Sequence, residues 1–268
     1  MNITRRSIAL AVFMAAAFPT GAVQAQSKKE IVFGATAGPY ADQIRFGIKP
    51  VLEKKGYTVR IVEFNDYVRP NFALAEKDLD ANVFQHVVYL NKFAADNKLA
   101  LAELIKVPTA PIGLYSHKHK RLDELAEGAR VALPNDPTNE ARALMVMEQI
   151  GWLKLRPGFD PVRASEADVA VNPKKIRLLP LEAGQLPRSL DDTDYSFVTG
   201  SFALASGMKI TDALALEKTT PNYLNIVAVR TADKDTPWAR DIAAAYRSPE
   251  FLQVIASRFP GFTLPATN

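Results

Sequence analysis

The sequence predicts an α/β protein made of two lobes with a cleft between them. Apolar runs of strand length alternate with segments of helical periodicity, a pattern typical of mostly parallel sheets flanked by helices. The alternation occurs in two sets, and residues 101–116, "LAELIKVPTAPIGLYS", are expected to join them as an extended crossover. Ligands bind such sheets at the carboxyl ends of the strands, so the cleft is the expected ligand site.

The first set alternates strand and helix. Buried strands are predicted over 29–36 and 57–64, and the helical pattern between them, 40–56, ends at a glycine. A short helix over 70–78 begins at a proline, and a short strand over 79–84 follows it.

The second set repeats the alternation after the crossover. Its predicted elements are a strand over 129–134, a helix over 138–151, strands over 175–181 and 194–200, and a helix over 201–207. A strand over 223–230 and helical turns over 237–259 complete the chain. After the N-terminal segment, no second apolar stretch is long enough to predict a membrane span.

The first 25 residues have the layout of a secretory signal peptide. Arg5 and Arg6 precede an apolar run over 8–18, and small residues end at Ala25. Cleavage is expected between Ala25 and Gln26, and a buried N-terminal helix is the alternative interpretation. The arginine pair leaves general secretion and twin-arginine export both open.

Charge and cysteine content narrow the class of protein. The sequence has 33 basic and 29 acidic residues, and removal of the leader takes away two arginines, which leaves a net charge of +2. A charge this small, without a basic cluster, argues against nucleic acid as a partner. The sequence contains no cysteine, so neither a disulfide nor a lipid-anchor cysteine is expected. The mature protein is therefore expected to be free in the periplasm.

Two neighbouring segments are rich in aromatic residues: 64–71, "FNDYVRPN", and 83–89, "VFQHVVY". The first follows a predicted strand and the second lies where a strand gives way to a helix, so both belong at the cleft. We expect three aromatic side chains and one histidine to form one wall of the site: Tyr67, Phe84, Tyr89 and His86. Aromatic rings suit an apolar or thioether side chain. The alternative is that these residues pack in the core, with the histidine hydrogen-bonded.

An anion site is predicted in residues 134–144, "PNDPTNEARAL". Thr138 is expected to cap the helix that follows, whose free N–H groups attract an anion. Arg142 is expected in the first turn, where its guanidinium fork can hold a carboxylate through two hydrogen bonds. Together they can hold the carboxylate of a free amino acid. The alternative is a surface arginine that pairs with Glu140 or Asp136.

Signals for catalysis, metals and cofactors are weak. His117 and His119 form an H-x-H in a lysine-rich stretch, which more often marks a solvated turn than a metal site. The sequence around Ser201 lacks the second glycine of a nucleophile elbow, and no glycine-rich phosphate loop is present. We expect neither an enzyme nor a cofactor, while a metal-capture protein that uses these histidines and His86 stays as a rival class.

Five segments, in chain order, resemble the methionine-binding NlpA family, the substrate-binding components of methionine ABC importers: "FNDYVRPN", "LDANVFQHVVYL", "PNDPTNEARAL", "LEAGQLPRSLDD" and "PNYLNIVAVR". The resemblance runs from about Lys29 to the C-terminus. It implies a two-lobed periplasmic-binding-protein fold, with the signal peptide at 1–25, the first lobe at 26–108 and 223–268, and the second lobe at 109–222. It also implies a monomer that needs no cofactor and delivers L-methionine to an inner-membrane permease.

The resemblance also implies roles for individual residues. The family's side-chain pocket matches three aromatic residues with a histidine beside them: Tyr67, Phe84, Tyr89 and His86. Its carboxylate-binding arginine matches Arg142, so Arg142→Ala is expected to lose binding with little loss of fold. An asparagine that helps to orient the α-amino group matches Asn225. Where the family usually has another asparagine this chain has Thr199, with Phe202 in the place of a tyrosine, so D-methionine, another apolar amino acid and a short peptide stay open as ligands.

Overall fold

The computed structural model describes residues 28–266, and the predicted signal peptide lies outside them. The strands in these residues are β1 (Glu30–Thr36), β2 (Thr58–Phe64), β3 (Ala81–His86), β4 (Leu101–Lys106), β5 (Gly113–Tyr115), β6 (Arg130–Pro134), β7 (Lys154–Leu155), β8 (Val169–Val171), β9 (Arg177–Leu181), β10 (Tyr195–Val198), β11 (Ala215–Leu216) and β12 (Asn225–Arg230).

The α-helices of the same residues are α1 (Pro39–Gln43), α2 (Lys49–Lys54), α3 (Arg69–Ala75), α4 (Val87–Asn97), α5 (Pro137–Gln149), α6 (Leu186–Ser189), α7 (Gly200–Ala205), α8 (Pro237–Ala245) and α9 (Pro249–Arg258). A π-helical turn over Ile44–Ile48 joins α1 to α2, so the single helix predicted over 40–56 is continuous but locally widened. None of the helices described is both long enough and apolar enough to span a bilayer.

Two five-stranded sheets carry the fold, and both are mostly parallel, as predicted. The first has the order β2-β1-β3-β12-β4, in which β12 runs opposite to the other four strands. The second has the order β11-β5-β10-β6-β9, in which β5 runs opposite to the other four. Helices cover both faces, so β1 and β12 are buried almost throughout and their sequences are nearly continuous apolar runs.

Each sheet has its own core. In the first, Phe33 and Leu52 pack with Phe251 of α9, and all three side chains are fully buried. The π-helical turn packs closely against α9. A Cβ at position 47 would lie 2.6 Å from the Phe251 ring, so only glycine fits at this position. In the second sheet, the buried face of α5, including Leu144, packs over the strands. Separate cores favour two lobes that keep their own structure when the cleft changes shape.

Two crossover segments, 107–112 and 217–224, connect the sheets and run side by side. The Val107 N–H donates to the Asn225 carbonyl at 2.7 Å, and the Glu217 N–H donates to the Ile112 carbonyl at 3.0 Å. The stretch 101–116 is therefore not one extended crossover, because its two ends are the strands β4 and β5. The two prolines suggested that the whole stretch lacks strands. They lie between β4 and β5, where proline interrupts no ladder of hydrogen bonds.

Candidate functional site

A cavity lies between the two sheets, beside the crossovers. It contains about 370 Å³ of space free of protein atoms, including its mouth toward solvent. All seven residues predicted for the site line it: Tyr67, Phe84, His86, Tyr89, Arg142, Thr199 and Asn225. Six residues that sequence reasoning missed complete the lining: Tyr40, Gln85, Ala110, Asn139, Gly200 and Ser201.

His86 ends β3 and caps the N-terminus of α4. Its Nδ1 accepts a hydrogen bond from the Tyr89 N–H at 3.1 Å, so Nδ1 carries no proton and Nε2–H donates to Asn139 Oδ1 at 3.3 Å. Burial, reinforced by the charge of Arg142, holds the pKa of His86 well below its usual value. The histidine is therefore neutral at pH 7, and it both lines the cavity and is hydrogen-bonded as a core residue would be.

The aromatic side chains form one connected cluster. The Tyr67 ring lies 5.7 Å from Phe84 and 5.2 Å from Phe202, measured between ring centroids, and Tyr89 meets Tyr67 edge-on at 6.1 Å. The Tyr89 hydroxyl donates to the Tyr67 carbonyl at 2.9 Å, which holds the two segments together. Such ring pairs are worth about 0.5–1.5 kcal/mol each beyond the area they bury. The cluster is a preformed apolar wall of the cavity.

Tyr67 also links the two sides of the cleft. Its hydroxyl lies 2.9 Å from Thr199 Oγ1 and 2.8 Å from Ser201 Oγ, at the start of α7. Burial raises the pKa of Tyr67 to about 12, so the hydroxyl keeps its proton at any physiological pH. Thr199 therefore does more than replace an amide, because its hydroxyl holds the aromatic wall against the second sheet.

Substituting Tyr67 with phenylalanine is expected to weaken ligand binding about fivefold. The ring cluster is kept, but the hydrogen bonds that join the two sides of the closed cleft are lost, at about 1 kcal/mol. Isothermal titration calorimetry with the ligand measures the effect. Tyr57→Phe is the matched control, since it removes a hydroxyl that bonds Asp241 away from the cavity. An unchanged affinity in Tyr67→Phe would contradict the closing role of the hydroxyl.

The start of α5 differs from the prediction. The N-cap is Asp136, not Thr138: the Asp136 carboxylate accepts from the Asn139 N–H at 3.0 Å and from the Thr138 hydroxyl at 2.9 Å. Aspartate before a proline at the first helical position is a strong start signal, and it outweighs the threonine. The capping carboxylate already occupies the helix end, so the free anion site expected there is absent, and Arg142 lies in the second turn.

Arg142 forms a buried ion pair with Glu217 from the second crossover. Nε donates to Oε1 at 2.8 Å and Nη2 donates to Oε2 at 2.5 Å, with the side chains 6% and 8% exposed. Nη1 donates to Asn139 Oδ1 at 2.6 Å, and the guanidinium lies 5.1 Å from the Tyr223 ring. Glu140 and Asp136, the alternative partners considered from the sequence, do not pair with Arg142. Three of its five N–H donors are engaged by partners within the described residues, which leaves two.

Asn225, at the start of β12, is placed opposite His86 in the ladder between β12 and β3. Its backbone N–H donates to Thr109 Oγ1 at 2.7 Å and its carbonyl accepts from Val107. The hydrogen bonds that Asn225 makes within the described residues all involve its backbone, although the residue is buried and lines the cavity. The side-chain amide lines the cavity, so its donor and acceptor are placed to bind a polar ligand.

Three buried amides, of which only Gln85 lines the cavity, form a cluster that was not predicted. Asn71 and Gln85 exchange two hydrogen bonds, at 2.8 and 2.7 Å, and Asn82 donates to Asn71 Oδ1 at 3.0 Å and to the Pro70 carbonyl at 3.1 Å. The cluster ties β3 to the start of α3, directly after the loop that carries Tyr67, so it helps to position the aromatic wall. The signal was present in the sequence, because polar residues in an otherwise apolar strand must find partners.

His117 and His119 do not line the cavity. His117 Nδ1 lies 3.1 Å from Asp191 at the surface, and His119 stacks on Tyr195 with ring centroids 4.8 Å apart. Within residues 28–266, no group of three histidine or acidic side chains is arranged to hold a metal ion. His117 is a surface residue, whereas His119 is half-buried against the buried ring of Tyr195.

Relatives and solved structures resemble the chain over most of its length. The "Probable D-methionine-binding lipoprotein MetQ" of Vibrio cholerae is 37% identical over 241 residues, 89% of this chain and 88% of the relative. The structure of a nutrient binding protein from Burkholderia cenocepacia bound to methionine shares 41% identity, with a TM-score of 0.84 over 88% of this chain and 100% of that one. An ABC transporter periplasmic substrate-binding protein from Coxiella burnetii has 36% identity and a TM-score of 0.83, over 88% and 100%. These names describe binding and transport.

The comparisons overturn one prediction. A protein free in the periplasm, without a lipid anchor, was expected because the sequence has no cysteine. The relatives are named lipoproteins, so that expectation is wrong. The expectation rested only on the absence of one residue type, and an absence alone does not decide whether a protein stays at a membrane.

The resemblance noted from five short segments extends to the whole described chain. A sequence model of the family described as NlpA lipoprotein matches residues 31–267. The match includes both sheets, both crossovers and every residue that lines the cavity. The chain therefore belongs to the NlpA lipoprotein family.

Proposed function

We propose that the chain is the substrate-binding component of an ABC importer, which captures methionine or a close analogue between two lobes and delivers it to an inner-membrane permease. The observation that carries the proposal is the cavity, which combines the guanidinium of Arg142 and several side-chain amides with an aromatic cluster. A free amino acid with an apolar side chain has the complementary chemistry. The relatives named for methionine binding support this ligand, and we assign no catalytic step to the chain.

We propose the following roles in ligand binding for the seven predicted residues. The two free N–H donors of Arg142 hold the ligand carboxylate. The Asn225 amide orients the α-amino group, with Thr199 close by. The aromatic wall, formed by Tyr67, Phe84 and Tyr89, covers the ligand side chain. Neutral His86 completes the wall without adding a charge. A charged side chain would be rejected because the wall offers it no partner.

The lobes are proposed to be residues 26–108 with 223–268, and residues 109–222. The two sheets and the crossovers at 107–112 and 217–224 support this division. The protein is proposed to act as a monomer. Each lobe contributes lining residues, so the ligand is enclosed only when the lobes close.

Replacing Gly184 with alanine is expected to weaken ligand binding about threefold to fivefold without lowering the unfolding temperature of the ligand-free protein. A Cβ at this position would lie 3.0 Å from the Asn65 carbonyl oxygen across the cleft, so the lobes must close less tightly. A loss of about 1 kcal/mol corresponds to this factor. Calorimetric titration gives the affinity. Unfolding of the ligand-free variant is the control, and an affinity equal to that of the wild type would contradict the contact as a limit to closure.

The test of the ligand is mass spectrometry of small molecules released when freshly purified protein is denatured. Stoichiometric methionine is the expected result, and chiral chromatography then distinguishes the L from the D form. A different amino acid would keep the transport role and place the choice of ligand near Thr199. If nothing is released, amino acids are added at a thousand times a micromolar dissociation constant, where binding stabilises by about 4 kcal/mol. No release and no thermal shift would contradict the proposal.

A further inference from the structure

Glu217 does not line the ligand cavity, yet it pairs with Arg142, which does. Arg142 lines the cavity, and it also lines a second cleft of about 860 Å³, open to solvent, which Glu217 lines as well. The carboxylate engages the Nε and Nη2 edge of the guanidinium and leaves the rest toward Asn139 and the cavity. The two residues are 75 positions apart, so nothing local suggested the pairing.

We propose that Glu217 is a positioning residue that balances the charge of Arg142 and so sets how strongly the site prefers a carboxylate over an uncharged group. This inference rests on the proposed function. Without a ligand, Glu217 satisfies a guanidinium that would otherwise be a buried, unpaired charge. With a ligand, two carboxylates share one guanidinium and repel each other, which weakens the hold on the ligand and eases its release.

The surroundings of the pair support a role in charge balance. Asp136 is hydrogen-bonded to Asn139, the same amide that accepts from Arg142 Nη1, so a second carboxylate already lies near the cation. His86 is neutral and supplies no compensating charge. Arg142, Glu217 and Asp136 together are therefore not electropositive before the ligand arrives. Removing one of the two carboxylates makes their net charge more positive.

The test compares L-methionine with L-methionine amide, which has nearly the same shape and an uncharged carboxamide. Glu217→Gln keeps the size of the side chain and one acceptor but removes the charge. We expect the amide-to-acid ratio of dissociation constants to rise about tenfold in this variant, a change of about 1.4 kcal/mol in discrimination. Glu127→Gln is the matched control, since it removes a carboxylate that pairs with Lys175 at the surface, and its ratio should equal that of the wild type.

A second variant separates charge from shape. Glu217→Asp keeps the charge on a shorter side chain, and its ratio is expected to stay within about twofold of the wild type. A purely structural role predicts instead that both ligands weaken equally in both variants, and that result would overturn the inference. An altered ratio in Glu217→Asp would overturn it too, even if Glu217→Gln failed to fold. If the wild type bound neither compound, the proposed function itself would fail, which distinguishes the two.

Discussion

Replacing Arg142 with alanine is expected to lower ligand affinity at least about 100-fold and to lower the free energy of unfolding by about 3–5 kcal/mol. The first effect follows from the loss of the donors proposed for the ligand carboxylate, since 100-fold corresponds to about 2.7 kcal/mol. The second arises because Glu217, 8% exposed, is left as a buried charge without a partner. The sequence alone suggested little loss of fold, and the ion pair corrects that expectation.

A double variant separates the two effects. Arg142→Met with Glu217→Met replaces both charges by apolar side chains of similar size, a change that is often neutral or stabilising for buried ion pairs. We expect its unfolding midpoint to return close to the wild-type value while ligand binding stays lost. Denaturant unfolding and calorimetric titration measure the two quantities. If the double variant bound the ligand as the wild type does, Arg142 would have no role in recognition.

Lowering the pH from 7.5 to 5.5 is expected to destabilise the wild type by about 1.4 kcal/mol more than a His86→Asn variant. Burial holds the pKa of His86 well below its usual value of 6.5. Below that value the unfolded chain binds a proton that the folded chain does not, so stability falls as the pH falls, by about 1.4 kcal/mol per unit. The loss continues until the pH reaches the pKa of the folded state.

Asparagine is the suitable replacement because it can cap α4 as His86 does and does not titrate. Urea unfolding at several pH values gives the two profiles, and their difference in slope isolates the one imidazole. Ser257→Ala is the control: it removes an exposed hydroxyl that does not titrate in this range, so the variant should keep the wild-type slope. Parallel profiles for the wild type and His86→Asn would show that the buried imidazole takes up a proton in the folded state.

Local patterns in the sequence determined the α/β class, the two sets of elements and the segments that carry the site. Apolar runs such as 30–36 and 225–230 became buried strands because both faces of each sheet are covered by helices. The segments around Tyr67 and His86 became cavity wall because the ends of such strands meet at one edge of a sheet. These features depend on residues close together in the chain, so periodicity and turn residues are enough to predict them.

The tertiary structure alone decided which distant partners the polar residues of the site take. Glu217 is 75 residues from Arg142, and Thr199 is 132 residues from Tyr67, so no spacing rule could pair them. Asn225 faces His86 only because β12 returns to the first sheet beside β3. A buried charge or amide takes the partner that burial brings within hydrogen-bond distance, and that depends on how the two sheets pack and close, not on neighbours in sequence.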